Sequence, residues 1–85
     1  AKFFIELQDA KPGMNVRYIP THAGKDITHP DCENGIVSSV NEFCVFVKYV
    51  NKYGNLGYTA QSTRPEDLVH FEFELYEEDK NGNEL

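Results

Sequence analysis

The sequence is poor in the features that mark several large classes of protein. Tryptophan is absent from its 85 residues, and cysteine occurs only twice. Two thiols are too few for the disulfide framework of a small secreted domain, and no apolar run approaches the ~20 residues of a membrane span. The first ten residues also lack the basic and apolar segments of a secretory signal. We therefore expect a cytoplasmic protein that does not bind a membrane.

Positive charge is also scarce. Eight Lys and Arg residues face fourteen Asp and Glu residues, which gives a net charge of −6. The imbalance lies in residues 66–85, which hold eight acidic residues and a single base, Lys80. Sequence-independent nucleic-acid binding is driven by neutralisation of phosphates, so this charge disfavours nucleic acid as the partner.

The length and the apolar content fit one small domain. Hydrophobic residues make up 40 % of the chain, which is enough for a single core at this size. We predict one domain over residues 1–76. Residues 77–85 offer no core-forming side chain before Leu85, so they are predicted to be an acidic, disordered tail.

Short alternating runs of apolar residues, separated by turn residues, predict an all-β fold. The predicted strands are 14–19, 35–40, 43–50, 58–61 and 69–75, with an extra N-terminal strand at 3–7 that pairs with 69–75. The third of these strands places Phe43, Val45, Val47 and Tyr49 on one face. Ser and Thr before Pro65, with acids after it, are typical of a helix start, so one 3₁₀ turn is predicted near residues 64–68.

Residues 20–34 form a loop that is long for so small a domain, and loops of this length are usually functional or disordered. Its chemistry-bearing side chains are His22, Asp26, His29, Asp31, Cys32 and Glu33. The favoured interpretation is structural, with His29, Asp31 and Cys32 fixing a tight turn around Pro30.

A metal site is the weaker interpretation of the same loop, and no metal or other cofactor is predicted. The candidate ligands are His22, His29 and Cys32, but their spacing matches no common zinc finger, and structural zinc sites usually have four ligands. Asp31, Asp26 or His70 would have to complete such a site.

The order of elements is strand, long loop, hairpin, short strand, single helical turn and strand. The segments that show this order are PGMNVRYIP, GIVSSVNEFCVFVKYV and RPEDL. Over roughly residues 11–75 the order resembles the small SH3-like barrel of SH3, Tudor and KOW domains. The stretch RYIPTHAGKDITHPDCENGIVSSVNEFCVFVKY is also similar to small, uncharacterised proteins of bacteria and their phages or prophages. These resemblances imply a binding module of about five strands that is associated with phages or prophages, and they bring no established activity.

The resemblance also implies where a partner binds, because SH3 and Tudor modules use aromatic residues beside the long loop. By position these are Tyr18, Tyr53 and Tyr58, with Arg17, Lys48 and Arg64 as charged residues at the rim. Tyrosine suits interfaces because it combines an apolar ring with a polar tip. The missing tryptophan removes the usual anchor for proline-rich peptides.

We therefore expect a non-catalytic module that binds another protein, as a monomer or as an edge-paired homodimer. No enzyme is expected, because a Cys–His pair needs a third, orienting group and a cleft that so small a barrel hardly offers. Three alternatives stay open: a small metal-binding protein, a KOW-like nucleic-acid binder, or an acidic decoy of a nucleic-acid-binding protein. The KOW-like alternative would use Arg17, Lys48, Lys52 and Arg64.

Overall fold

The computed structural model describes residues 4–75. Five antiparallel strands form one sheet in the order β4-β3-β2-β1-β5. The strands are β1 (Asn15–Tyr18), β2 (Glu33–Val40), β3 (Val45–Val50), β4 (Leu56–Thr63) and β5 (Leu68–His70). The predicted all-β fold of about five strands is confirmed, and the long loop connects β1 to its neighbour β2.

The sheet is open, which differs from the closed barrel that the resemblance implies. Within residues 4–75, β4 and β5 each pair on one side only. The last strand ends at His70, although the alternating pattern predicted strand structure through residue 75. Because residues 71–75 form no ladder, no long final strand is present to close the sheet against β4.

The predicted N-terminal strand is wrong in its described part, residues 4–7. The chain instead enters a 3₁₀ turn at Leu7–Asp9. The Ile5 amide donates a hydrogen bond to the Leu68 carbonyl at 2.9 Å, but no ladder follows. The turn redirects the backbone after Glu6, so this segment packs its side chains on the core without adding a strand to the sheet.

The predicted 3₁₀ turn before the last strand is confirmed at Pro65–Asp67, with proline at its first position. Two further 3₁₀ turns, Leu7–Asp9 and Thr21–Ala23, were not predicted. Three-residue turns are too short to leave a periodic apolar pattern in a sequence.

The core has two parts. The larger contains Ala10, Val16, Val37, Val45, Val47 and Leu68, and the smaller contains Ile19, Ala23 and Val69. Val45 and Val47 are fully buried and Tyr49 packs beside them, as the alternation predicted. Phe43 is the exception, with 80 % of its surface exposed. It lies before β3 in a turn, where its amide donates a hydrogen bond to the Asn41 side chain at 2.7 Å.

The sequence analysis also made predictions about the C-terminal residues and about membrane spans. The predicted domain end at residue 76 and the predicted acidic tail at 77–85 lie outside the described residues. None of the helical turns between residues 4 and 75 has the length and apolar character needed to cross a membrane.

Candidate functional site

The long loop was predicted over residues 20–34, but it spans residues 19–32, because β2 already begins at Glu33. Arg17 on β1 fastens this loop to the sheet. Its Nε donates a hydrogen bond to the Ile27 carbonyl at 2.7 Å, and its Nη1 donates to the side-chain oxygen of Asn34 on β2. The guanidinium also lies 4.8 Å from the centre of the Phe71 ring. The structure therefore places Arg17, predicted at the rim of a binding surface, beneath the loop as its anchor.

Within the long loop, a short network of hydrogen bonds centres on Asp26. The Thr28 hydroxyl and amide donate hydrogen bonds to the Asp26 carboxylate at 2.6 and 2.9 Å. These bonds, with a smaller contribution from the charge of nearby His29, lower the pKa of Asp26 below its usual value. The thiol of Cys32 donates to the Asp26 carbonyl at 3.4 Å and packs against the smaller core cluster.

The three residues predicted to structure the loop are brought into one turn. The Asp31 amide donates a hydrogen bond to Nδ1 of His29 at 3.0 Å, and the Cys32 amide donates to the His29 carbonyl at 3.0 Å. The Asp31 carboxylate contacts His22, with its Oδ2 2.7 Å from Nε2 of His22. His22, His29 and Asp31 thereby form one cluster on the outside of the loop.

A cleft of about 370 Å³ opens where the ends of several strands meet. It is lined by Tyr18, Glu33, Tyr49, Gln61, Ser62, Thr63, Arg64 and Asp67. The rings of Tyr18 and Tyr49 meet edge to face, 6.1 Å between centres. The Tyr49 hydroxyl and the Thr63 hydroxyl are hydrogen-bonded at 2.8 Å. Burial raises the pKa of Tyr49 to about 12.

A second cleft, of about 490 Å³, lies against the long loop. Its walls are Tyr18, Pro20, His22, Pro30, Asp31, Cys32 and Glu33. Both clefts have Tyr18 and Glu33 in their walls, and we call the two clefts together the Tyr18 groove.

The Tyr18 groove carries more negative than positive charge. Arg64 is already close to Asp67, with Nε and Oδ2 3.3 Å apart. Asp31 faces His22 at the loop end. In the described part of the chain Glu33 has no ion-pair partner, and it lines both clefts. The groove therefore offers a carboxylate that no described cation neutralises.

Only part of the predicted binding surface comes together. Tyr18 and Arg64 line the first cleft, whereas Tyr53, Tyr58 and Lys48 lie outside both clefts. Tyr58 is 97 % exposed on β4, and Tyr53 lies in the turn between β3 and β4.

Sequence reasoning did not assign Tyr49 or Thr63 to the binding surface, and it named Glu33 only as a chemistry-bearing residue of the long loop. The alternation of β3 indicated that Tyr49 faces the core, but no local pattern indicated that its hydroxyl reaches Thr63 on β4.

Comparisons with known proteins add no assignment to this geometry. No protein-family model, no curated protein and no solved structure matches the chain. The function therefore rests on the groove and the loop.

Proposed function

We propose that this chain is a non-catalytic protein-binding module whose Tyr18 groove takes a short, extended segment of a partner protein. The observation that carries the proposal is that two clefts, of about 370 and 490 Å³, share Tyr18 and Glu33 in their walls. A groove of two such compartments suits a chain segment with successive side chains better than a compact small molecule.

The chemistry of the walls supports a peptide. Tyr18 and Tyr49 supply flat apolar surface at low cost in side-chain entropy, which is why tyrosine is enriched at interfaces. The hydroxyl group of Ser62 and the amide of Gln61 can exchange hydrogen bonds with a peptide backbone. Small-molecule sites, in contrast, are usually lined mainly by apolar side chains.

The charge of the groove indicates which peptides fit. Glu33 has no ion-pair partner among residues 4–75 and lines both clefts. A Lys or Arg side chain in the partner segment would pair with it, and complementary charge fixes the register of a bound chain. The partner segment therefore carries a basic residue.

The competing proposal of a nucleic-acid-binding surface has less support in the geometry. Arg17 is engaged beneath the loop, and Arg64 lies beside Asp67. Two of the four cations that the KOW-like alternative requires are thus held by internal contacts.

The experiment is a selection of short random peptides, displayed on phage, against the immobilised chain. We expect enriched peptides that share a Lys or Arg. Glu33→Lys should weaken their binding about tenfold or more, because it turns an attraction into a repulsion. Titration of the ¹⁵N-labelled chain with a selected peptide should shift the amide signals of groove residues.

Glu42→Lys is the matched control, because it makes the same charge change at an exposed position outside both clefts. Tyr58→Ala tests the surface predicted from the sequence. The proposal fails if no peptide is enriched, or if Glu42→Lys weakens binding as much as Glu33→Lys. Loss of binding in Tyr58→Ala alone would move the interface to β4.

A further inference from the structure

Three metal-ligating side chains meet on the outside of the long loop. One possible ligand atom from each of His22, His29 and Asp31 lies within 4.8 Å of the other two. The two imidazole rings are 5.3 Å apart, edge to face, and Asp31 Oδ2 lies 2.7 Å from His22 Nε2. We propose that this cluster is a binding site for a divalent transition-metal ion, and that Zn²⁺ is the ion whose chemistry it fits.

The donor set selects the class of ion. Calcium and magnesium take oxygen ligands, whereas imidazole nitrogen suits zinc and its neighbours in the first transition row. Two imidazoles and a carboxylate are a common ligand set of zinc sites that keep one position open. The cluster therefore matches zinc in ligand type as well as in number.

The distances require only small movements. Zinc bonds of about 2.0–2.1 Å in a tetrahedron place the ligand atoms roughly 3.3 Å apart. The atoms of the cluster lie within 4.8 Å of one another, so they must close by about 1.5 Å at most. The side chains of His22 and Asp31 are 63 and 59 % exposed, and exposed side chains change rotamer freely.

The backbone of the loop already holds the ligands on one side. The amides of Asp31 and Cys32 both donate hydrogen bonds to His29, one to its Nδ1 and one to its carbonyl. When a metal ion binds, bonds to the metal replace the hydrogen bond at His29 Nδ1 or the contact between His22 and Asp31. We therefore expect weaker binding than at a four-ligand structural site.

The geometry favours Asp31 over Cys32 as the third ligand. The Cys32 thiol donates to the Asp26 carbonyl at 3.4 Å and packs against the smaller core cluster. Three protein ligands leave one tetrahedral position for water or for a donor from a bound molecule. His22 and Asp31 also line the loop half of the Tyr18 groove, so a molecule in that cleft can supply the fourth ligand.

The test is isothermal titration of the full chain with zinc chloride alone, without peptide. We expect one Zn²⁺ per chain, and at least about tenfold weaker binding in His22→Ala and in Asp31→Asn, since the loss of even an outer-shell partner of a metal ligand costs about 10–100-fold in affinity. The matched control is His70→Ala. His70 Nε2 lies 3.0 Å from Glu72 Oε2 in a similar exposed pair, but the described residues place no third ligand beside them.

A second measurement separates the ligands directly. In ¹H–¹⁵N spectra of the histidine rings, Zn²⁺ should shift the nitrogens of His22 and His29 and leave those of His70 unchanged. Far-UV circular dichroism checks that each variant stays folded, and the exposed positions of His22 and Asp31 make this the expected result.

Three results would overturn the proposal. They are the absence of any binding, equal weakening in His70→Ala, or binding that Cys32→Ser abolishes. The last result would show a thiolate site with a different ligand set. None of these outcomes bears on peptide binding, because the titration contains no peptide.

Discussion

Arg17 provides the most direct test of how the long loop is held. Arg17→Ala removes the hydrogen bond to the Ile27 carbonyl, the bond to Asn34 and the contact with the Phe71 ring. A hydrogen bond from a charged donor contributes about 1.5–3 kcal/mol, and an exposed cation–π contact about 0.5–1 kcal/mol. Because water reaches part of this half-buried side chain, we expect a loss of about 2–3 kcal/mol in the free energy of unfolding.

The assay is urea and thermal unfolding followed by circular dichroism. A loss of this size lowers Tm by roughly 8–24 °C in a domain of fewer than 100 residues. Arg64→Ala is the control, because its contacts with Asp67 are 3.3 and 3.4 Å long and its side chain is 66 % exposed. Exposed pairs of this kind contribute at most about 1 kcal/mol.

Arg17→Lys separates charge from geometry. Lysine keeps the charge but cannot donate to Ile27 and Asn34 from one planar group, so most of the loss should remain. Equal stability of the Arg17→Ala and Arg64→Ala variants would refute the role of Arg17 as the anchor of the loop. Full stability of Arg17→Lys would refute the part played by the planar guanidinium.

Two further predictions concern the strands behind the groove. In Gly35→Ala the new Cβ would lie 2.5 Å from Val47 Cγ1 and 3.0 Å from the Lys48 carbonyl oxygen. We therefore expect the free energy of unfolding, measured in urea, to fall by about 1–3 kcal/mol. Unchanged stability would contradict this packing. The raised pKa of Tyr49, about 12, predicts that stability falls as the pH rises from 10 to 12, because the unfolded chain releases this proton first. Tyr49→Phe should remove the loss of stability that comes from this proton and the absorbance change near pH 12. If both persist in the variant, they belong to another group.

Local patterns predicted the strands better than their pairing. Val45 and Val47 are buried as the alternation indicated, and Pro65 begins the expected 3₁₀ turn. Residues 4–7 and 71–75 alternate just as clearly, yet they form no strands. Alternation reports which side of an extended segment is apolar, but a strand also needs a partner with free backbone groups, and that depends on the whole fold.

The candidate site was less predictable for the same reason. The groove assembles Tyr18, Glu33 and Tyr49 from three different strands, and the register between strands decides which side chains meet. The cluster on the loop needed only the chain from residue 22 to residue 31, so sequence reasoning found its two histidines. It chose Cys32 as the third ligand and named Asp31 only among the residues that would complete the site, because the choice depends on where the Cys32 side chain points.

The position of β5 has a consequence for how the chain folds. The strands β2, β3 and β4 are joined by short turns, whereas β5 pairs with β1 through contacts such as Val16 with His70. Closing so long a stretch of chain costs entropy before any contact is gained, so distant pairings are slow to form. The meander of β2, β3 and β4 should therefore form first, and the Tyr18 groove is complete only once β1 has docked. If β1 docks after the transition state, its contacts act mainly on the unfolding rate. We then expect a partner seated against Tyr18 to prolong the lifetime of the native state without accelerating its formation.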